Sequence, residues 1–366
     1  MTSFGEFELI AKLRHAAKSD ARVPVGIGDD AAVVAAGQDG RWLVAADMLL
    51  EGRHFELQTA TPRLIGRKAL AVNLSDIAAM AGRPVAAFVT VAHHRDYGIA
   101  FAEELHAGIQ ELADEFQVVG AGGDTNVWDG PVVVSVTILG EITGGRAVTR
   151  NGALPGDHIF VTGRLGGSLS SGRHLSFTPR VYEAIGLHER CELHAMIDLS
   201  DGLLADLGHI CEEGGVGATL FADAIPLHSS LSQRTQGTPL PRERGRGEGP
   251  ERRRHPSSRT HTSLNPSDEA DARTGDASEL PSPPAPLPRE RGDRALTPLE
   301  RALTDGEDFE LVFCVSEADA KRLLASKPPS EALHAIGRIV EGDGVTVIDA
   351  NGAPMKFESA GWVHRW

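Results

Sequence analysis

Apolar and polar positions fall into two periods that alternate along most of the chain. Apolar residues return at helical spacing at Phe101, Leu105, Ile109, Leu112 and Phe116, which predicts a helix there. Residues 64–81 carry Ile65, Leu70, Leu74, Ile77 and Ala81 and predict a second helix, stopped by Gly82 with Pro84 beyond it. Apolar runs at 42–46 and 85–92 and the alternation over 132–142 predict strands. A Pro-Gly-Asp turn at 155–157 opens a second block. Strands are predicted in it at 158–162, 217–221, 309–315 and 334–340, and helices at 203–213 and 317–324. The division near Arg150 gives two α+β domains, residues 1–146 and 147–366.

One stretch breaks the pattern. Residues 232–298 hold 11 of the 21 prolines and almost no apolar side chains, and the heptapeptide PLPRERG occurs in them twice. Such a composition cannot bury enough surface to offset backbone ordering, so a disordered insertion is expected. Its 12 Arg against 10 Asp and Glu leave it at +2, and the whole chain carries −15, so the remainder stands at −17. A proline-rich docking segment is the functional alternative to a repetitive element placed in a tolerant loop.

The acidic balance argues against nonspecific binding to nucleic-acid phosphates. Apolar residues make up 41% of the chain, yet no run approaches the ~18 residues of a membrane span. The acidic start MTSFGEFELIAKL lacks the pattern of a secretory signal. Cys191, Cys211 and Cys314 are odd in number and far apart, as in reduced thiols, so a cytoplasmic location is expected.

Acids recur at the ends of apolar runs. VGIGDD carries Asp29 and Asp30, WLVAAD ends in Asp47, VVGAGGD in Asp124, and AMIDLSDG holds Asp198 and Asp201. On the first predicted helix Asp76 lies one turn beyond Asn73. Carboxylates that converge repel one another and resist desolvation unless cations lie between them. Oxygen ligands without His or Cys suit magnesium, which keeps waters and bridges to phosphates. Taken singly, each Asp equally fits a helix cap or a turn, as Ser200-Asp201-Gly202 before Leu203 would. Recurrence of one context at five or six positions favours a metal site binding a nucleotide.

Other phosphate motifs drop out. No Gly-Lys pair exists, so there is no Walker A loop, and the kinase motif DFG is absent. Residues 26–31 match GxGxxA, but Asp29 and Asp30 inside that loop would repel a bare pyrophosphate. Gly120 to Asp124, GAGGD, would let the backbone approach a phosphate, and Gly163, Gly166 and Gly167 fit a tight strand-to-helix turn better.

In order along the chain stand GEFELIAKL, VGIGDDAAVV, DMLLEGRHF, KALAVNLSDIAAMAGRP, GGDT, RAVTRNGALPGD, RHL with PR, AMIDLSDGLLADL, ALTDGEDFEL and GWVHRW. Through these motifs the chain resembles the thiamine-monophosphate kinases, of the ATP-binding superfamily that includes aminoimidazole ribonucleotide synthetase and selenophosphate synthetase. The likeness accounts for everything outside the insertion. It implies an α+β fold with an N-terminal mixed sheet, helices on one of its faces, and a C-terminal α/β sandwich interrupted by the insertion. It implies several magnesium ions on Asp30, Asp47, Asp76, Asp124, Asp198 and Asp201. ATP would be held by Gly123, Asp124, Arg150 and Ser200, with Asp124 and Arg150 catalytic, and thiamine monophosphate by His54, Glu307 and Trp362. A homodimer built on the N-terminal domains is implied as well.

These substrate assignments are chemically sound. Trp362 can stack on a flat or cationic ring, Glu307 can accept from an exocyclic amine, and His54 can donate to a phosphate. Outside the motif context Trp362 would only pack the C-terminus, Glu307 would form a surface pair and His54 would cap a turn. Two positions depart from the family. Ala45-Ala46 stands where Ser-Thr is usual, which leaves the backbone carbonyl of Ala46 as a metal ligand. Asp305 replaces a glycine in the turn that presents Glu307. Two alternatives stay open on the sequence: a related synthetase with another substrate, and a nonenzymatic nucleotide-binding homologue.

Overall fold

Two sheets, one from each half of the chain, carry an α+β fold. They are seen in a computed structural model that describes residues 20–36, 40–232, 296–326 and 333–357, with Ile10, Lys12, Arg14 and His15 ahead of them. Trp362, most of GEFELIAKL and residues 233–295, the bulk of the expected disordered insertion, lie outside the described residues.

The first sheet has the order β1-β2-β5-β3-β4 and is built from β1 (Ala32–Ala36), β2 (Gly40–Leu50), β3 (Gly82–His94), β4 (Val119–Trp128) and β5 (Val133–Ile142). Its pairings are antiparallel except β3 with β4, which run parallel. Leu43, Ala45, Leu49, Val134, Val136 and Ile138 are buried, while Met48 and Phe88 of the same sheet stay exposed. The buried positions face two helices, α1 (Pro62–Ala79) and α2 (Gly98–Glu115).

Helix α1 starts where Thr61 accepts from the Leu64 amide and Pro62 fills the first turn, a position that has no use for its missing N–H. Nearly all of it is buried, from Ile65 through Ala79. The reason is its place: α1 touches β2 and β5 on one side and β7 of the second sheet on the other. Gly66 and Gly108 let α1 and α2 meet at van der Waals distance. A Cβ on Gly66 would collide with the Leu105 carbonyl, and one on Gly108 with the Arg63 carbonyl.

The second sheet has the order β12-β11-β8-β10-β6-β9-β7. Its strands are β6 (His158–Val161), β7 (Leu193–Asp198), β8 (Gly217–Phe221), β9 (Leu311–Val315), β10 (His334–Val340), β11 (Gly344–Ile348) and β12 (Pro354–Met355). Its helices are α3 (Val181–Arg190), α4 (Leu203–Gly214), α5 (Pro298–Thr304) and α6 (Glu317–Ala325). Strand β9 is buried throughout. Phe160 and Phe313, stacked 5.5 Å apart, face the core shared with α1 and the first sheet. Ile159, Val161, Ile197 and Val312 point the other way, to a second core under α4 and α5.

The predicted helices and strands appear, most within a few residues of the expected bounds. Elements not predicted also appear: β1, β4, which runs through GAGGD, β7, β11, β12, α3 and α5. One boundary is corrected. Thr297 and Pro298, read as the end of the insertion, begin α5, where Thr297 and Glu300 form a reciprocal capping box. Ser232, read as its start, closes the helical turn Ser229–Ser232. Cys191, Cys211 and Cys314 are buried and unpaired. Among the described residues no helix is long and apolar enough to cross a membrane.

Candidate active site

A cleft of about 530 Å³ opens where α1 passes between the halves. It is lined by Asp29, Asp47, His54, Asp76, Arg150, Asp198, Ser200, Asp201 and Glu307, among others. Asp30, Asp76 and Asp198 each bring a carboxylate oxygen within 4.8 Å of the others. They come from the turn before β1, from α1 and from the end of β7. Only Asp198 sits at a strand terminus. The acids therefore do not meet along one sheet edge: the packing of two sheets on one helix gathers them.

The acids are crowded and dry. Burial, then Asp30, pushes Asp198 up to about 8. Burial and Asp30 likewise push Asp29 up to about 7. Burial and the neighbouring Asp47 hold Asp76 well above the usual carboxylate range, and burial raises Asp47. Ser75 donates to Asp198 at 2.6 Å, and Asn73 accepts from the Asp47 amide at 3.2 Å. A cation of the chain, Arg150, answers this charge. Arg150 grips Asp30 with Nη2 and Nε at 2.9 and 3.1 Å, and its amide donates to Asp29 at 3.3 Å. Burial alone would lower Arg150; Asp30 and Asp29 outweigh it. Nearby, Asp206 accepts from the Asp201 and Gly202 amides and shapes the Ser200–Gly202 turn in front of α4.

Asp124 is not part of this cluster. It lies on β4, accepting from the Thr125 amide and the Asn126 side chain, beside a separate groove between β4 and α2. Registration links the two places: Asp47 pairs with Val136, Val136 with Val89, and Val89 with Gly123. Gly123 has a structural duty of its own, because a Cβ there would strike the Val89 carbonyl. Ala46 is exposed, and by strand alternation its side chain lies on the face opposite Asp47. Residues 26–31 lead into a strand, not a helix, so the dinucleotide motif is excluded.

His54 and Glu307 line the same cleft as the acids. Glu307 has φ of 64°, and Phe309 two residues on has φ of 49°. Asp305 has an ordinary extended backbone, which any residue adopts, so losing the glycine there costs the turn nothing. Its carboxylate accepts from the Gly167 amide at 3.4 Å, and Asp308 accepts from Gly166 at 2.6 Å. Gly163, Gly166 and Gly167 thus build the strand-to-helix turn expected of them. Arg173 holds Asp308 and Arg180 holds Glu310, which explains why RHL, PR and GEDFEL stand as separate motifs.

Sequence reasoning missed Lys68. Its side chain is fully buried, and its ammonium donates to the Glu307 carboxylate and the His54 carbonyl, both at 2.7 Å. The signal was present as a lysine amid Ile65, Leu70 and Leu74 on an otherwise apolar helix.

Residues 28–142 match the family model described as AIR synthase related protein, N-terminal domain. The chain is 34% identical to the thiamine-monophosphate kinase of Rhodopirellula baltica, over 98% of this chain and 97% of that protein. Among solved structures it is similar to AaThiL complexed with AMPPCP and TMP, with a TM-score of 0.71 and 26% identity, covering 98% and 97% of the two chains. It is similar also to the thiamine-monophosphate kinase of Stenotrophomonas maltophilia, with a TM-score of 0.63 and 29% identity over 97% and 99%. Motifs in order, fold and full-length similarity agree, and the chain belongs to the thiamine-monophosphate kinase family.

Proposed function

We propose that this chain is a magnesium-dependent kinase that transfers the γ-phosphoryl group of ATP to the phosphate of thiamine monophosphate, giving thiamine diphosphate and ADP. The observation that carries this reading is the convergence of Asp30, Asp76 and Asp198 at a cleft that His54 and Glu307 also line. The donor set fits magnesium: all ligand atoms are oxygen, and the acids are crowded enough to favour protonation unless cations join them. Asp30, Asp47, Asp76, Asp198 and Asp201, with the Ala46 carbonyl, would hold the ions. For Gly123 and Asp124 the support is the family motif GGDT.

The attacking group needs little activation. A phosphate monoester is already anionic near neutral pH, with a second pKa of about 6. Its oxygen attacks the γ-phosphorus, the bond to the β-phosphate oxygen breaks, and ADP leaves. Bound magnesium supplies neutralisation between two anionic reactants. Arg150 adds positive charge beside the phosphates, and Ser200 helps to hold the nucleotide. His54 donates to the substrate phosphate, Glu307 accepts from the aminopyrimidine amine, and Trp362 stacks on a ring of thiamine. Catalysis then rests on alignment and charge, with no strong general base.

We place the dimer contact in residues 1–146, together with the greater part of the ATP and magnesium site, to which residues 147–366 add Arg150, Asp198, Ser200 and Asp201. Met48, Phe88, Val119 and Val127 form exposed apolar positions on the first sheet, which supports a homodimer through that surface. A cytoplasmic location accords with three unpaired cysteines.

Asp76→Asn tests the metal reading. Turnover should fall about 100-fold with a matching loss of apparent magnesium affinity, while thermal stability in EDTA does not fall. Near-normal turnover at limiting magnesium would overturn it.

A further inference from the structure

Lys68 has no part in the mechanism above, yet it is the fully buried cation nearest the substrate wall. It lies on α1, and its ammonium bridges two elements distant in sequence: the turn after β2, through the His54 carbonyl, and the loop after α5, through Glu307. Burial pulls Lys68 below the usual lysine range, opposed by Glu307. The Glu307 loop needs such a hold. Its backbone is left-handed at Glu307 and again at Phe309, a conformation that costs a non-glycine residue energy unless its surroundings fix it. Hydrogen bonds fix it: the Glu307 amide donates to the Ser200 carbonyl at 2.7 Å, the Phe309 amide donates to the Leu199 carbonyl at 2.8 Å, and Lys68 takes Oε2 of the carboxylate. Ammonium, carboxylate and carbonyl thus tie the His54 turn to the Glu307 loop, and both residues line one cleft.

We infer that Lys68 is a positioning residue for thiamine monophosphate, orienting the Glu307 carboxylate and the His54 turn toward the thiamine end of the substrate. This rests on the reading that His54 and Glu307 face that substrate. A purely structural ion pair would behave differently, because its loss would weaken the fold without distinguishing the two substrates.

The test compares Lys68→Met, Glu307→Gln and the double variant in the full chain, with Michaelis constants for thiamine monophosphate and ATP measured separately. Lys68→Met should raise KM for thiamine monophosphate about tenfold, the loss of one charge-assisted hydrogen bond, with kcat and KM for ATP changed less than about threefold. In the Glu307→Gln background the same change should add less than about threefold, because Lys68 acts through that carboxylate. The double variant leaves no buried unpaired charge, so it carries the test if Lys68→Met alone does not fold. Equal effects on both substrates, or fully additive effects, would overturn the inference. If Glu307→Gln raises KM and Lys68→Met does not, Lys68 alone is refuted. If Glu307→Gln leaves KM for thiamine monophosphate unchanged, the reading of the substrate wall fails as well.

Discussion

Asp198 carries the clearest sign of what the acidic cluster asks of the fold. In the unfolded chain its carboxyl titrates near 4, and in the fold at about 8, chiefly through burial and then Asp30. The folded state therefore holds the extra proton across that interval. This contribution is complete below about pH 4 and is lost as the pH rises through about 8. Asp29, Asp47 and Asp76 shift in the same direction. In EDTA the melting temperature should thus fall between pH 6 and pH 8.5 by on the order of 5 °C, taking about 1.4 kcal/mol per unit and 2–4 °C per kcal/mol. Asp198→Asn should flatten that slope, and magnesium at pH 8.5 should restore the loss. A melting temperature in EDTA that is flat or rises over this range would show that the acids are not the strained group described above.

At the scale of elements, α1 decides most of the architecture, and its glycine is the point where that can be tested. Gly66→Ala forces a methyl group into the Leu105 carbonyl and must splay α1 from α2, so a loss of about 3 kcal/mol or more is expected in chemical denaturation. Gly208 on α4 is the control, since a Cβ there meets nothing within 4 Å. Gly208→Ala should stabilise by about 0.5–1 kcal/mol through helix propensity alone. The reverse order of the two would contradict the packing described. Helix α1 was legible because Ile65, Leu70, Leu74 and Ile77 keep its period and Gly82 with Pro84 closes it. Strand β4 was not, because GAGGD has no apolar alternation: Gly123 serves the close pass of β3, which is a tertiary demand. Helix α3 was hidden for a related reason, a short segment with Gly186 in its middle. Lys68 was overlooked because its partners lie 14 and 239 residues away.

For the whole molecule, the composition of residues 233–295 and the structure on either side make the same demand. The chain leaves from the helical turn Ser229–Ser232 and returns at the capping box of α5. Replacing residues 233–295 with a short Gly/Ser linker, Thr297 kept, should leave the melting temperature and kinase activity close to those of the full chain. Loop closure costs only about 0.6 kcal/mol per doubling of length, so little is gained or lost. A linker variant that folds but is inactive would show a role for the segment. The acids of the site were legible as residues, since Asp30, Asp76 and Asp198 were singled out and do converge. Their assembly was not, because it depends on how two sheets seat on α1, which no local period encodes. The central claim concerns the reaction itself. Purified full chain incubated with ATP, magnesium and thiamine monophosphate should form thiamine diphosphate and ADP one for one, as separated by chromatography, and EDTA should stop both. ADP released without thiamine diphosphate, or no product above an enzyme-free control, would contradict it.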